Sequence, residues 1–350
     1  MNIFDFYADT SKHEELKEIL ILAGQKHSAG LAANFLEKDI WVTEILRLLY
    51  DENLMGDIAV AFKGGTALSK CWKAIERFSE DIDLSIHWAD LAGESNESEA
   101  WDKSVQSGKQ RKKFRQRQEK LLIEWSEELV SKLNKLFSDY GISGLEAELD
   151  PNSKGEKINV HFPRVTAGDN DYQLDYVLLE FGGRNRGRPT NLHEVTCYLS
   201  EVSELSTIDF PTATVQAYDA DYILWEKLTA LHQFSTQERE PDFNRLARHW
   251  YDVDRLLLSK FADPLDSSVA MQNVVEMKAQ RWAEKGVDYG LVLSGELKLV
   301  PDEERLAGIA KDHQAAIDGG MFFSVPDDFG VIINRVRKTQ ESINSENTPL

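Results

Sequence analysis

The sequence predicts an α+β or α/β protein, a mixed sheet flanked by helices and followed by a mainly helical C-terminal part. Three observations predict it. Apolar residues recur at helical spacing over residues 31–49, short β-prone runs broken by glycine and polar turns fill 58–199, and helical spacing returns from Tyr218 onward.

The elements follow in order. Leu31, Phe35, Ile40, Trp41, Ile45, Leu48 and Leu49 form a helical stripe, and residues 1–60 read as helical. Residues 58–62 are a short apolar run, Gly64-Gly65 a sharp turn, and 67–75 a resumed helix. Ile82-Asp83-Leu84-Ser85-Ile86 alternates as a strand does. Residues 90–115 are polar with no apolar period and predict an insertion or exposed loop. Leu122, Trp125, Leu129, Leu133 and Leu136 predict a helix over 119–140. Further strands of the same sheet are expected at 157–162, 172–181 and 193–199, then helices at 221–234, 243–261 and 268–285. The polar tail SINSENTPL is expected to fray. These elements divide the chain near residue 210, into 1–210 and a helical part, 211–340.

With 350 residues the chain can form two domains or one elaborated domain. Its 42% hydrophobic and 29% charged residues exclude a disordered chain. The N-terminal MNIFDFYADTSKHEELKEIL carries acids and Lys where a signal peptide needs an apolar run. No segment approaches the roughly 18 apolar residues of a membrane span, so a cytoplasmic location with no membrane partner is expected. Cys71 and Cys197 lie outside any zinc-ligand spacing and are expected as free, buried thiols. A net charge of −20 argues against a large basic nucleic-acid surface but not against a local groove. The run KQRKKFRQR at 109–117 is either such a groove or a solvated helix face or loop, and the solvated reading is the default for charge runs.

The chemistry concentrates in residues 63–86. Asp81 and Asp83, two apart on a strand, project their carboxylates to one face. A divalent cation relieves the repulsion between them, and carboxylates with phosphate oxygens suit Mg²⁺. Two such ions about 4 Å apart can hold the attacking and leaving oxygens of a displacement at phosphorus. A lone DxD is common and by itself reads as an acidic strand edge. Upstream, Lys63-Gly64-Gly65-Thr66 stands where a strand gives way to a helix. There glycines admit close approach of a phosphate, helix-start N–H groups favour an anion, and Thr66 adds a hydroxyl.

KGGTALSKCWKAIERFSEDIDLSI resembles the signature of the AbiEii/AbiGii toxins, within the DNA polymerase β-type nucleotidyltransferase superfamily. EKDIWVTEILRLL (37–49) resembles the helix that precedes that signature. ILWEKLTALHQF (223–234) and RHWYDVDRLL (248–257) resemble the family's third and fourth motifs. The resemblance covers roughly residues 30–260 and implies a nucleotidyltransferase-like fold whose C-terminal part completes the active site. Gly65-Thr66 stands where the superfamily usually has Gly-Ser, and the gap to Asp81 is long. By position, the functional lysine is Lys227 and the aspartate of the fourth motif Asp252. Taken without the resemblance, Lys227 is a solvated helix residue and Asp252 a helical partner of Arg248 or Arg255.

Polymerase-type sites add a third acid. Glu180, sharing a strand face with Tyr176 and Leu178, is the candidate, with Asp175 on the opposite face. Metal ligands are thus expected at Asp81, Asp83 and Glu180, and nucleotide contacts at Lys63, Gly64, Gly65, Thr66, Ser79, Lys227 and Arg184. Arg184, with Arg186 and Arg188, reads as a phosphate clamp or as a basic surface loop.

The resemblance implies NMP transfer from a nucleoside triphosphate, with Mg²⁺ or Mn²⁺, to an RNA, a tRNA 3′ end in particular. It implies a toxin of a toxin–antitoxin or phage-defence pair, with a separately encoded antitoxin, a transcriptional regulator being one form. The alternatives are a nucleotide-binding regulator without catalysis and a kinase-like transfer to a protein.

Overall fold

The computed structural model describes residues 1–93, 107–166, 174–185, 189–281 and 284–347. Two compact units form, Met1–Cys71 with Phe78–Tyr218, and Trp72–Arg77 with Asp219–Leu350.

The first unit contains α1 (Phe4–Ala8), α2 (His13–Lys26), α3 (Ala33–Tyr50), β1 (Val60–Lys63), α4 (Gly64–Lys70), β2 (Ile82–His87), α5 (Trp88–Ala92), α6 (Gly108–Tyr140), β3 (Glu146–Leu149), β4 (Lys157–His161), β5 (Tyr176–Asn185), β6 (Thr190–Thr196) and β7 (Thr212–Tyr218). The strands make one mixed sheet in the order β3-β4-β5-β2-β1-β7-β6. The β2–β5 and β1–β7 pairs are parallel and the others antiparallel. β1 and β2 sit at its centre, and the apolar side chains Phe62, Ile82, Leu84 and Ile86 have no exposed surface.

Helix α3 packs on β5 and β7 and carries an unusual run of buried charges. Glu37 accepts from the Val165 and Thr166 amides. Lys38 pairs with Glu80 at 2.8 Å, both about 1% exposed, and also donates to the Leu174 carbonyl. Asp39 takes the Lys70 ammonium at 2.5 Å and the Tyr198 amide at 2.7 Å. Burial pushes the Lys70 pKa down, but Asp39 outweighs it and the net shift is upward. Buried charges persist only when paired and hydrogen-bonded. The EKD of α3 therefore ties down the end of α4 through Lys70 and the approach to β2 through Glu80.

The second unit contains α7 (Ala220–Thr236), α8 (Arg248–Leu258), α9 (Ser268–Arg281), α10 (Glu303–Asp318) and α11 (Phe329–Asn347). α7 packs on α8 and α9, and α8 on α11. Trp225, Leu228, Trp250, Val253, Leu256 and Val336 are fully buried there. The two indoles donate to Ser267 Oγ at 2.7 Å and the Leu299 carbonyl at 2.9 Å. No helix among the described residues is long and apolar enough to cross a membrane.

Several expectations need correction. The first compact unit runs to Tyr218, since residues 212–218 form β7 and pair with β1 and β6, where the sequence divides the chain near 210. The polar stretch 90–115 is not simply a loop. Its start is helix α5, and α6 begins at Gly108, where Ser107 and Gln110 form a reciprocal capping box. Residues 94–106 lie outside the described residues. Lys109, Lys112, Lys113, Arg115 and Arg117 therefore ride on an exposed helix surface, held down by Phe114 and Gln118 against Trp88. The tail expected to fray is helical to Asn347, with residues 348–350 outside the described residues. Both cysteines are free as expected, but only Cys197 is buried, Cys71 being half-buried; burial pushes both thiols up, Cys71 to about 12.

Candidate active site

β1 delivers Lys63 and then breaks sharply. Gly64 has φ +73°, and a Cβ on it would lie within the Asp83 carboxylate, so only glycine lets the chain turn there while Asp83 packs against its backbone. Gly65 and Thr66 continue into α4, which is only seven residues long. The Thr66 hydroxyl is fully buried, donates to the Asp81 carbonyl at 2.5 Å and lies 3.0 Å from the Ser79 hydroxyl. The hydroxyl expected to meet a nucleotide ties α4 to the chain entering β2. That bond fixes where Asp81 stands.

Asp81 is buried and Asp83 half-buried. With Ile82 and Leu84 turned into the core, the two acids fall on the other face of the strand. Strand register extends that face into a row. Lys63 is opposite Asp83 across β1–β2, Asp83 opposite Glu180 across β2–β5, and Glu180 opposite Lys157 across β5–β4. Residues directly opposite share a face. The row therefore reads cation, anion, anion, cation.

Glu180 is brought beside Asp83, but its carboxylate pairs with Lys157 at 2.8 Å. The two side chains are 37% and 42% exposed, and pairs of that kind contribute only about 0.2–1 kcal/mol. Burial pushes the Lys157 pKa down, while Glu180, then Asp150 and Asp81, outweigh it and raise it. Among the described residues, no three His, Cys, Asp or Glu side chains form a group ready to hold a metal. The Asp81–Asp83 pair nonetheless fits a hard divalent cation: Asp83 lies against a glycine backbone, Asp81 stands two residues before it, and phosphate oxygens can complete the shell.

Arg184 lies on β5, while its side chain, Arg186 and Arg188 fall outside what is described, so the expected clamp does too. Asp175, expected on the face opposite Glu180, pairs with Arg164.

Lys227 and Asp252 belong to the second unit and meet there. Lys227 is no solvated helix residue: it is 9% exposed, and its Nζ lies 2.7 Å from Asp252 Oδ2. Asp252 is fully buried and also receives Arg77 in a bidentate grip, Nε to Oδ1 at 2.7 Å and Nη2 to Oδ2 at 2.8 Å. Burial alone would raise the Asp252 pKa. Arg77 and then Lys227 outweigh it, and the carboxyl is held well below the usual range. Burial, then Lys227, pushes the pKa of the neighbouring His249 well down. Arg255, expected near Asp252, contacts Glu76 at 3.4 Å instead.

The sequence reading missed Arg77 and Lys157. Arg77 stands four residues before Asp81 in the signature itself, a position that invited attention. Lys157 carries no local signal, since only strand register reveals its partner.

Gly64→Ala should expose the turn's requirement. A non-glycine residue at positive φ costs about 1–3 kcal/mol, and here its methyl also displaces Asp83. Gly30→Ala, at φ +61° with open space around it, isolates the backbone cost. Both variants should melt several degrees lower, while transfer activity should fall at least about tenfold only in Gly64→Ala, the loss expected when a reacting group is misplaced.

No curated protein sequence gives a significant match. Among solved structures, MenT4, a nucleotidyltransferase toxin from Mycobacterium tuberculosis H37Rv, aligns over 94% of this chain and 99% of its own, at 17% identity and a TM-score of 0.48. The family model described as nucleotidyl transferase AbiEii toxin, type IV toxin–antitoxin system, matches residues 47–335. That span holds the glycine turn, both acids, Lys227 and Asp252, and the chain belongs to the AbiEii nucleotidyltransferase toxins.

Proposed function

We propose that this nucleotidyltransferase moves a nucleoside monophosphate from a nucleoside triphosphate to an RNA hydroxyl, with the tRNA 3′ end as acceptor, and that Asp81 and Asp83 hold its divalent metal. The observation that carries the reading is the Asp83 carboxylate packed against the side-chain-free Gly64, with Asp81 two residues before it. Mg²⁺ or Mn²⁺ bound there would supply charge neutralisation at the α-phosphate and lower the pKa of the acceptor hydroxyl.

The protein's own residues do the rest by placement. Thr66 fixes the main chain at Asp81. Lys63, at one end of the charged row, stands where a triphosphate approaching the acids meets a cation. Within the second unit Asp252 orients Lys227 and Arg77 holds Asp252 in place, and Lys227 is a point cation of the kind that neutralises triphosphate charge. The α-phosphate–oxygen bond to pyrophosphate breaks as the acceptor oxygen bonds to phosphorus. Preorganised electrostatics carry most of the rate in such transfers.

Family membership implies an antitoxin and a triphosphate substrate. We take the toxin to act in the cytoplasm and the antitoxin to be a separately encoded transcriptional regulator. Incubating the protein with each α-labelled triphosphate and total RNA tests the reaction. Label on RNA with stoichiometric pyrophosphate is expected. Label passing from a γ-labelled triphosphate to protein would establish the kinase-like reading. Triphosphate binding with neither product would leave a regulator.

A further inference from the structure

We propose that Lys157 is a latch on the metal site: it holds Glu180 away from Asp81 and Asp83 until a cation and a triphosphate arrive together. The inference rests on the metal reading above and adds a positioning residue to it. Glu180 is in register with Asp83 on a neighbouring parallel strand, where a third carboxylate ligand would stand. Its Oε1 is instead 2.8 Å from Lys157 Nζ, delivered in register from the strand on its far side. Glu180 and Asp83 thus stand together in backbone register, yet Glu180 does not join the acids in a metal-ready group.

The latch is built to open. Both partners are more than a third exposed, whereas the ion pairs that hold the scaffold, Lys38–Glu80 and Lys70–Asp39, are buried almost completely. Surface pairs are weak and give way to a stronger competitor. A divalent cation attracts Glu180 more strongly than an ammonium does, and triphosphate oxygens offer Lys157 a replacement anion. Lys157 closes the charged row one position beyond Glu180, so its ammonium opposes a cation entering alone. Metal and nucleotide therefore favour each other's binding by exchanging partners with one ion pair.

Mn²⁺ titration of the full-length protein without nucleotide, followed by loss of the free-ion EPR signal, tests this apart from activity. Lys157→Met should tighten Mn²⁺ about fivefold, or about 1 kcal/mol at 1.4 kcal/mol per tenfold. Lys157→Arg, which keeps the charge, should match wild type. In a Glu180→Gln background the Lys157→Met gain should vanish, because no carboxylate remains to be released. A gain that persists in that background is a general charge effect and overturns the latch. Unchanged, Asp83-dependent Mn²⁺ binding in Lys157→Met overturns the latch alone. Mn²⁺ binding indifferent to Asp81→Asn and Asp83→Asn overturns both the latch and the metal reading beneath it.

Discussion

Asp83→Asn should reduce nucleotidyl transfer by at least about a hundredfold, the loss typical when one preorganised electrostatic group is removed, while the fold survives. Asparagine preserves shape beside Gly64, so the close packing there stays intact. What disappears is the negative charge that offsets Lys63 across β1–β2 and that would bind the cation. Asp81→Asn should behave alike, since both carboxylates stand on one face. Incorporation of α-labelled nucleotide into RNA measures the loss, and thermal melting confirms folding. Asp175→Asn, changing an exposed acid just before β5, serves as the control and should retain activity. Transfer within tenfold of wild type in either active-site variant would remove Asp81 and Asp83 from the chemistry.

Asp252→Ala should be the most destabilising single change in the second unit. It leaves the Arg77 guanidinium and the Lys227 ammonium buried with their shared anion gone. Breaking a buried pair from one side costs about 3–5 kcal/mol, which for a unit of this size lowers the melting temperature by on the order of 10 °C. The same carboxylate gives a pH signature. Its folded pKa lies below the unfolded value of about 3.9. The stabilisation is therefore fully present above the unfolded pKa and is lost as pH falls through the folded one. Wild type should lose stability on acidification below about pH 4, and Asp252→Asn should lack that component. Melting curves of the two proteins between neutral and acidic pH decide it; parallel pH profiles would contradict the buried triad.

The sequence made the centre of the fold legible because its signals there are local. Ile82, Leu84 and Ile86 alternate with Asp83 and Ser85, and the Gly64-Gly65 break is confined to adjacent residues. What escaped depended on residues far apart in the chain. Lys157 and Glu180 meet only through β4–β5 register, and Arg77 meets Asp252 only through tertiary packing. β3 and β7 escaped because four- and seven-residue strands with mixed polar faces resemble loops. The type and spacing of Thr66 point to a ligand, and its hydroxyl also donates to the Asp81 carbonyl, a bond no local pattern shows. Without the resemblance Lys227 reads as solvated, because a lone lysine on a helix gives no sign of a buried carboxylate contributed by another helix.

The chain leaves the first unit after Cys71, contributes Trp72–Arg77 to the second, and returns at Phe78. The signature shared with the family is therefore interrupted, in structural terms, by six residues that belong elsewhere. Cutting the protein after Tyr218 yields a fragment in which Arg77 has lost Asp252 while the glycine turn and both acids remain. The same threading constrains recombination between relatives. A C-terminal half exchanged wholesale would arrive without the hexapeptide that belongs to the same unit, so functional chimeras should require the exchange of residues 72–77 along with it.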